Sequence, residues 1–332
     1  MIRRRTLLAG TVAAAAASTL PAPFVRAQAR QSMVIGAGSD PSYSAYYVAK
    51  EAGIFQRSGL NVHLNTAPSG SLTVDLLHGN MIKSAYAPAQ AGVSTHILDN
   101  NVAIVAEGVT LLRWHAVVGR NVENMDGLKG KRVGVARGTG SETFWLALVA
   151  AQRLNPADYS IVNMQGHQFS VGLALGRIDA CVAGQPWPSR LVRSVPGSKI
   201  ILASQDVGIQ VRNFIYMNRG WIEQNQDASK RFMTALVQAT DYMKSNVDVS
   251  AAHVARALRQ DRDFVKELMG KVEFTMHLTD DSLRDVQRAI DQLRGMNRLT
   301  KEVDWNRFVY PDLLRSVAPN RVRISGLPPR RG

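Results

Sequence analysis

Cysteine is nearly absent from this 332-residue chain, with Cys181 the only one. A single thiol excludes an intrachain disulfide and any zinc or iron–sulfur centre held by several thiolates. Cys181 stands in the apolar run Ala180-Cys181-Val182-Ala183, which suits a small buried hydrophobe better than a nucleophile. None of the seven histidines has a neighbour at a metal-ligand spacing such as H-E-x-x-H, and no G-x-S-x-G elbow or Ser-x-x-Lys pair occurs. Long apolar runs are missing too. The longest, Leu7–Leu20, is well short of the roughly 20 residues that span a bilayer. Acids are scarce, 26 against 40 Lys+Arg, yet the basic residues are mostly scattered among them, as in Lys266-Glu267, so no nucleic-acid-binding face is expected. No motif calls for a cofactor or a metal.

The short apolar run is informative for what flanks it. Arg3, Arg4 and Arg5 precede it, and Pro21, Pro23 and Val25-Arg26-Ala27 follow, the pattern of a cleaved export signal over residues 1–27. Arg4-Arg5-Thr6-Leu7-Leu8 resembles a twin-arginine signal, with ordinary secretion as the alternative. Cleavage after Ala27 removes four arginines and no acid, leaving +10 over 305 residues.

With 45% hydrophobic residues the remainder can bury a core, and its length suggests two lobes. Strand-like Met33–Gly36, Leu60–Leu64 and Val102–Ala106 alternate with helical Tyr43–Ala52 and Leu72–His78. The alternation restarts after Met125–Gly130, with a strand over Arg132–Ala136 and a helix over Phe144–Leu154, then strands at Lys199–Ala203 and Phe214–Met217. The last third reads as helical, with stripes such as Phe232, Leu236, Ala239 and Met243 that need a sheet to cover. The expected fold is α/β with a ligand cleft between two lobes: 31–112 plus 213–318 form one, 116–208 the other, and 319–332 a disordered tail.

Chemistry is expected in the loops after strands. Arg137-Gly138-Thr139-Gly140-Ser141-Glu142-Thr143 stands between a strand and a helix, where glycines admit a ligand and helix N–H groups favour a negative charge. No Gly-Lys-[Ser/Thr] follows, which rules out a P-loop, and Thr143 stands where a dinucleotide fingerprint needs its third glycine. Thr139, Gly140 and Ser141 are therefore candidates for holding an anion; Ser141 would also cap the helix. Tyr43, Gln90, Gln185 and Trp187, in three other loops, would surround the rest of a small polar ligand. Arg113, at the first crossover, could pair with its charge. An exported enzyme on this scaffold would need a titratable pair in the cleft, for which Asp40 and Glu142 are the nominees.

Tyr46-Tyr47-Val48-Ala49-Lys50-Glu51-Ala52-Gly53-Ile54-Phe55 with Gly59-Leu60-Asn61-Val62, Leu128–Val135 with its Gly-Thr-Gly-Ser loop, Leu175–Ala180 and Gln185-Pro186-Trp187 together resemble the solute-binding proteins of nitrate, sulfonate and taurine transporters. The resemblance covers about residues 31–318. It implies a type II periplasmic binding fold, a monomer that closes on a small anion and delivers it to an inner-membrane ABC permease and its ATPase. An envelope ligand sensor is the alternative use of such a fold. Gly79-Asn80-Met81-Ile82 and Gln185 depart from the usual family residues at their positions, so sulfonate, nitrate, a carboxylate and a larger aromatic acid all stay open as ligands.

Overall fold

The computed structural model describes residues 30–328; the expected leader and the last four residues of the expected tail lie outside the described residues. Twelve strands are described: β1 (Gln31–Gly38), β2 (Leu60–Ala67), β3 (Ser84–Pro88), β4 (Val102–Leu111), β5 (His115–Arg120), β6 (Arg132–Val135), β7 (Ser160–Asn163), β8 (Ala180–Gly184), β9 (Ser198–Ala203), β10 (Val211–Asn218), β11 (Val272–Thr279) and β12 (Val322–Arg323). They form two sheets, ordered β12-β11-β4-β10-β3-β1-β2 and β7-β6-β8-β5-β9.

Each sheet is built the same way. Three strands run parallel, β2, β1 and β3 in the first and β7, β6 and β8 in the second, because each is joined to the next by a helix that crosses one face. An antiparallel strand then closes the set, and in each sheet it is the strand that arrives from the other: β5 follows Leu112–Trp114, and β10 follows 204–210. The apolar run Val102–Ala106 of β4 suits a strand covered on both faces, and β3 and β4 are buried along their whole length.

Four helices matter for the site. Helix α1 (Gly70–His78) follows β2, α2 (Gly140–Ala151) follows β6, α3 (Trp187–Ser194) follows β8, and α4 (Asp280–Gly295) covers the first sheet after β11. The helix expected over Phe144–Leu154 thus begins four residues earlier and ends at Ala151. Its cap explains the shift: Thr139 accepts the Ser141 backbone N–H at 3.2 Å on its hydroxyl, so Thr139, not Ser141, is the capping residue.

Two expectations for the last third are corrected. It is not purely helical, since β11 pairs antiparallel with β4. The segment from 319 is also not a frayed end over its described part. β12 pairs with β11, Arg321 donates to Asp241 Oδ1 at 2.5 Å, and Asp280 accepts from both the N–H and hydroxyl of Ser325. No described helix is long and apolar enough to cross a membrane.

Candidate functional site

A cavity of about 160 Å³ opens between the two sheets, and its walls come from the C-terminal ends of the parallel strands of both. Ser39, Asp40, Ser42 and Tyr43 follow β1, Pro68 to Ser71 follow β2, and Pro88 ends β3. From the second sheet, Ala136 and Thr139 to Ser141 follow β6, Gln165 and Gly166 follow β7, and Gln185 to Trp187 follow β8. In open α/β sheets this is where ligands bind, because the connecting loops converge there while the strands supply a rigid base.

Three helix N-termini meet at this cavity. Ser69 and Gly70 start α1, Thr139 and Gly140 start α2, and Pro186 and Trp187 start α3. Each brings the positive end of a helix dipole, worth about 0.3–1 kcal/mol to an anion, while the Gly70, Ser141 and Ser189 N–H groups are taken by the Tyr43 hydroxyl, the Thr139 hydroxyl and the Gln185 side-chain oxygen. Gly138, at φ +73°, turns the chain into α2, and a Cβ on Gly140 would stand 2.9 Å from His115 Nε2, so the loop packs against the imidazole without room for a side chain. Arg190, one turn along α3, is the sole lysine or arginine among the described lining residues, and its guanidinium lies 5.5 Å from the Trp187 ring centroid.

The titratable groups differ in state. Burial holds His115 down at about 3, so it is a neutral imidazole, stacked on Phe144 with its Nδ1 unpartnered. Burial pushes the Asp40 carboxyl up to about 6, against the opposing pull of the Ser42 hydroxyl and N–H, which both donate to Oδ1. Tyr43 is raised well above its ordinary value by burial and then by the Asp40 charge, and its oxygen accepts the Gly70 N–H at 3.1 Å.

Six of the candidate residues line this cavity: Tyr43, Thr139, Gly140, Ser141, Gln185 and Trp187. Two do not. Gln90 is buried on the helix Ala89–His96, which starts directly after β3, and its amide donates to Gln292 Oε1 of α4 at 2.9 Å rather than facing the cleft. Arg113 turns outward at the crossover, donating to the Gly270 carbonyl at 2.6 Å. Glu142 is likewise absent from the lining. Its Oε1 accepts from Arg298 at 2.8 Å and its Oε2 from the Gly138 N–H at 2.7 Å, so it is committed to an ion pair and does not partner Asp40. Sequence reasoning missed Trp114, His115, Asn213 and Arg190 as lining residues. Trp114 ends the crossover into β5, His115 opens β5 and Asn213 lies near the start of β10, both strands entered by a crossover, and Arg190 shares a helical face with Trp187. Among the described residues no cluster of His, Cys, Asp and Glu could hold a metal ion.

A family model described as NMT1/THI5 like matches residues 40–248. A putative aliphatic sulfonates-binding protein of Bacillus subtilis is 22% identical over 285 residues, 83% of this chain and 85% of its own. The alkanesulfonate-binding protein SsuA from Xanthomonas axonopodis pv. citri, solved bound to MOPS, superposes with a TM-score of 0.71 at 16% identity, over 89% of this chain and 98% of that one. The desulfurization enzyme DSZB has the same fold at a TM-score of 0.68 and 15% identity, covering 88% and 99% of the two chains. The fold is therefore that of periplasmic binding proteins, and in DSZB the same fold is that of an enzyme.

Proposed function

The chain belongs to the NMT1/THI5-like family, and from that premise we propose that it is the solute-capturing component of an ABC importer, taking a small acid from the periplasm. In this reading residues 1–27 direct export, 31–112 with 213–318 and 116–208 act as two lobes, and the closed form presents the ligand to an inner-membrane permease with its ATPase. The sulfonate-binding relatives support an anionic ligand.

The observation that carries the proposal is the meeting of three helix N-termini, from both sheets, at one cavity. Dipoles that converge this way would repel a cation and favour an acid group. Hydrogen bonds to a charged group are worth about 1.5–3 kcal/mol each, so a few of them with the dipoles and Arg190 reach the roughly 8 kcal/mol of micromolar binding. The acid group is placed at Gly140 and Ser141, with Tyr43, Gln185 and Trp187 around the rest. An enzymatic reading has less to draw on, because Glu142 is held by Arg298.

The test is a thermal-shift screen of the chain from residue 28 onward against alkanesulfonates, nitrate and short carboxylates, followed by calorimetry. A ligand at 100 times its Kd should stabilise by about 2.7 kcal/mol. Failure of every acid, with a neutral solute binding instead, would refute the proposal.

A further inference from the structure

Three helix N-termini favour an acid group in a cavity of about 160 Å³, and the lining of that cavity includes a carboxylate. Asp40 follows β1 and belongs to the turn that meets the start of α1, where Tyr43 accepts the Gly70 N–H at 3.1 Å. A space of this size holds a small acid and little else, so the acid group lies near Asp40 wherever it settles. Two negative charges enclosed together disfavour each other, and the group that can take up a proton does so.

Local structure uses only half of this carboxylate. Oδ1 caps the turn Pro41–Tyr43, accepting the Ser42 N–H at 2.9 Å and the Ser42 hydroxyl at 2.6 Å. Oδ2 has no hydrogen-bond partner among the described residues, and the carboxylate has no ion-pair partner there. Burial pushes its pKa up to about 6, so the ligand-free protein holds it charged at neutral pH but close to protonation. Its surroundings single it out. Of the other titratable lining residues, Arg190 stays charged, Tyr43 keeps its proton, and His115, held down at about 3, stays neutral. Tyr47 and Tyr86, which also feel Asp40, are raised by burial and stay protonated, and Lys50 and Glu51 stand at the far end of the helix Ser44–Glu51. β4 and the helix Arg262–Met269 pack on the same turn, but Glu107 accepts from Thr110 and Ser282, and Arg262 pairs with Asp263, Lys266 with Asp248 and Lys271 with Glu267. Asp40 is thus the one described group at the cavity poised to change its charge near neutral pH.

Resting on the acid-binding reading above, we propose that Asp40 contacts the ligand as a neutral carboxyl: capture of the acid takes up one proton from the medium onto Oδ2, and that O–H donates to the bound anion. A like charge is thereby replaced by a charge-assisted hydrogen bond, and the acid group has the three helix dipoles to itself. The proton is in effect a second ligand. Between the pKa of Asp40 in the ligand-free protein and its higher value in the complex, the acid is held about ten-fold more tightly for each unit by which the pH falls.

Calorimetry at pH 7 counts the proton, because the heat of binding then varies with the ionisation enthalpy of the buffer. Bis-Tris, imidazole and Tris serve, being bases that do not compete as acids. The probes are the alkanesulfonates and nitrate of the screen above, strong acids that stay anionic, so that a proton taken up is taken up by the protein. The native protein should take up at least about half a proton per bound anion, and its Kd should rise about ten-fold from pH 6.5 to pH 8. Asp40→Asn keeps the capping oxygen and puts an N–H donor in the place of the Oδ2 hydroxyl. This variant should take up no proton, show a Kd independent of pH, and bind at pH 8 about ten-fold tighter than the native protein. A native uptake below about half a proton overturns the proposal without recourse to a variant and leaves acid binding standing, and an uptake that persists in folded Asp40→Asn overturns it too. If only short carboxylates bind, the same measurements are made with them, and the uptake must vanish in Asp40→Asn. Should no acid bind at all, both readings fall.

Discussion

Asp40 carries a cost that the ligand-free molecule must bear. Its folded pKa of about 6 exceeds the ordinary 3.8, so between about pH 4 and 6 the folded state holds a proton that the unfolded chain has released. Its contribution to stability therefore improves as pH falls through that window, and above pH 6 the full penalty remains, at most about 3 kcal/mol. Asp40→Asn should raise the melting temperature of ligand-free protein at pH 8 by several degrees, with the gain shrinking toward pH 4. Other groups do not confound the comparison. Tyr43, Tyr47 and Tyr86, which feel the Asp40 charge, are raised above their ordinary values chiefly by burial, His115 is held at about 3, and Asp285, also near 6, is common to both proteins. An equal gain at both pH values, or a loss at pH 8, would refute the assignment. Gly140 permits a second test on the opposite wall. As the first residue of α2 it accepts proline in backbone terms, and proline removes the N–H placed against the acid group. Alanine is the control, since any Cβ there crowds His115 at 2.9 Å while alanine keeps the donor. Gly140→Pro should weaken acid binding at least ten-fold more than Gly140→Ala, and equal calorimetric affinities would place the acid elsewhere.

Among the elements, β11 shows where a sequence pattern stops being readable. The strand lies between amphipathic helices, and its alternation is broken by a bulge at Thr275 and Met276, the latter at φ +46°, with the register shifting between Phe274 and His277. Apolar periodicity reports regular strands, and here the irregularity has a use. It sets His277 Nε2 3.4 Å from Glu107 and lets the Thr275 hydroxyl donate to the Glu107 carbonyl at 3.2 Å. Glu107 is fully buried in β4, where Thr110 and Ser282 donate to its two oxygens at 2.6 Å each and Arg212 Nε lies at 3.4 Å. Burial alone would raise its pKa, but the hydrogen bonds from His277, Ser282 and Thr110 hold it below the ordinary value. One carboxylate thus ties β4, β10, β11 and the start of α4 together. A depressed folded pKa means that this stabilisation is complete above the ordinary carboxylate range and is lost as pH falls through the folded value. Glu107→Ala should cost about 3–5 kcal/mol in urea unfolding at pH 7, since it leaves Arg212 and two hydroxyls short of a partner. A loss below 1 kcal/mol would show that the network is not tight. The βα units were legible where this network was not, because their signals are local: Gly53 and Gly79 mark helix ends within a residue of where they fall, whereas Glu107 meets Ser282 from 175 positions away.

Across the whole molecule, two short crossovers join the sheets, and direct contacts join them again beside the cavity. Ser71 at the start of α1 donates its hydroxyl to the Gly138 carbonyl at 2.5 Å, and Arg298, just beyond α4, pairs with Glu142 of α2 at 2.8 Å. The loop 137–143 could be read from sequence as a ligand loop because glycines between a strand and a helix have few other uses. That the same loop is gripped from the other sheet could not be read, since Arg298 follows a helix whose visible pattern is only its own stripe. The failures of Gln90 and Arg113 have the same origin: both stand in the right connections, and only tertiary packing decides which way a side chain leaves one. If ligand capture requires the closed arrangement, the Arg298–Glu142 pair sets affinity without touching the ligand. Apparent affinity scales with the fraction of molecules already competent to bind. Arg298 is 38% exposed, so solvent screens the pair and limits it to about 1 kcal/mol, or roughly five-fold in that fraction. Arg298→Ala should therefore weaken binding of the best acid by up to about five-fold and enlarge the ligand-free radius of gyration, with the ligand-bound scattering profile unchanged. Glu142→Gln should do the same, and the double variant should be no worse than either single one, because both remove one interaction. Additive losses would mean that the two residues act separately, and an unchanged affinity in Arg298→Ala would mean that closure does not depend on this contact.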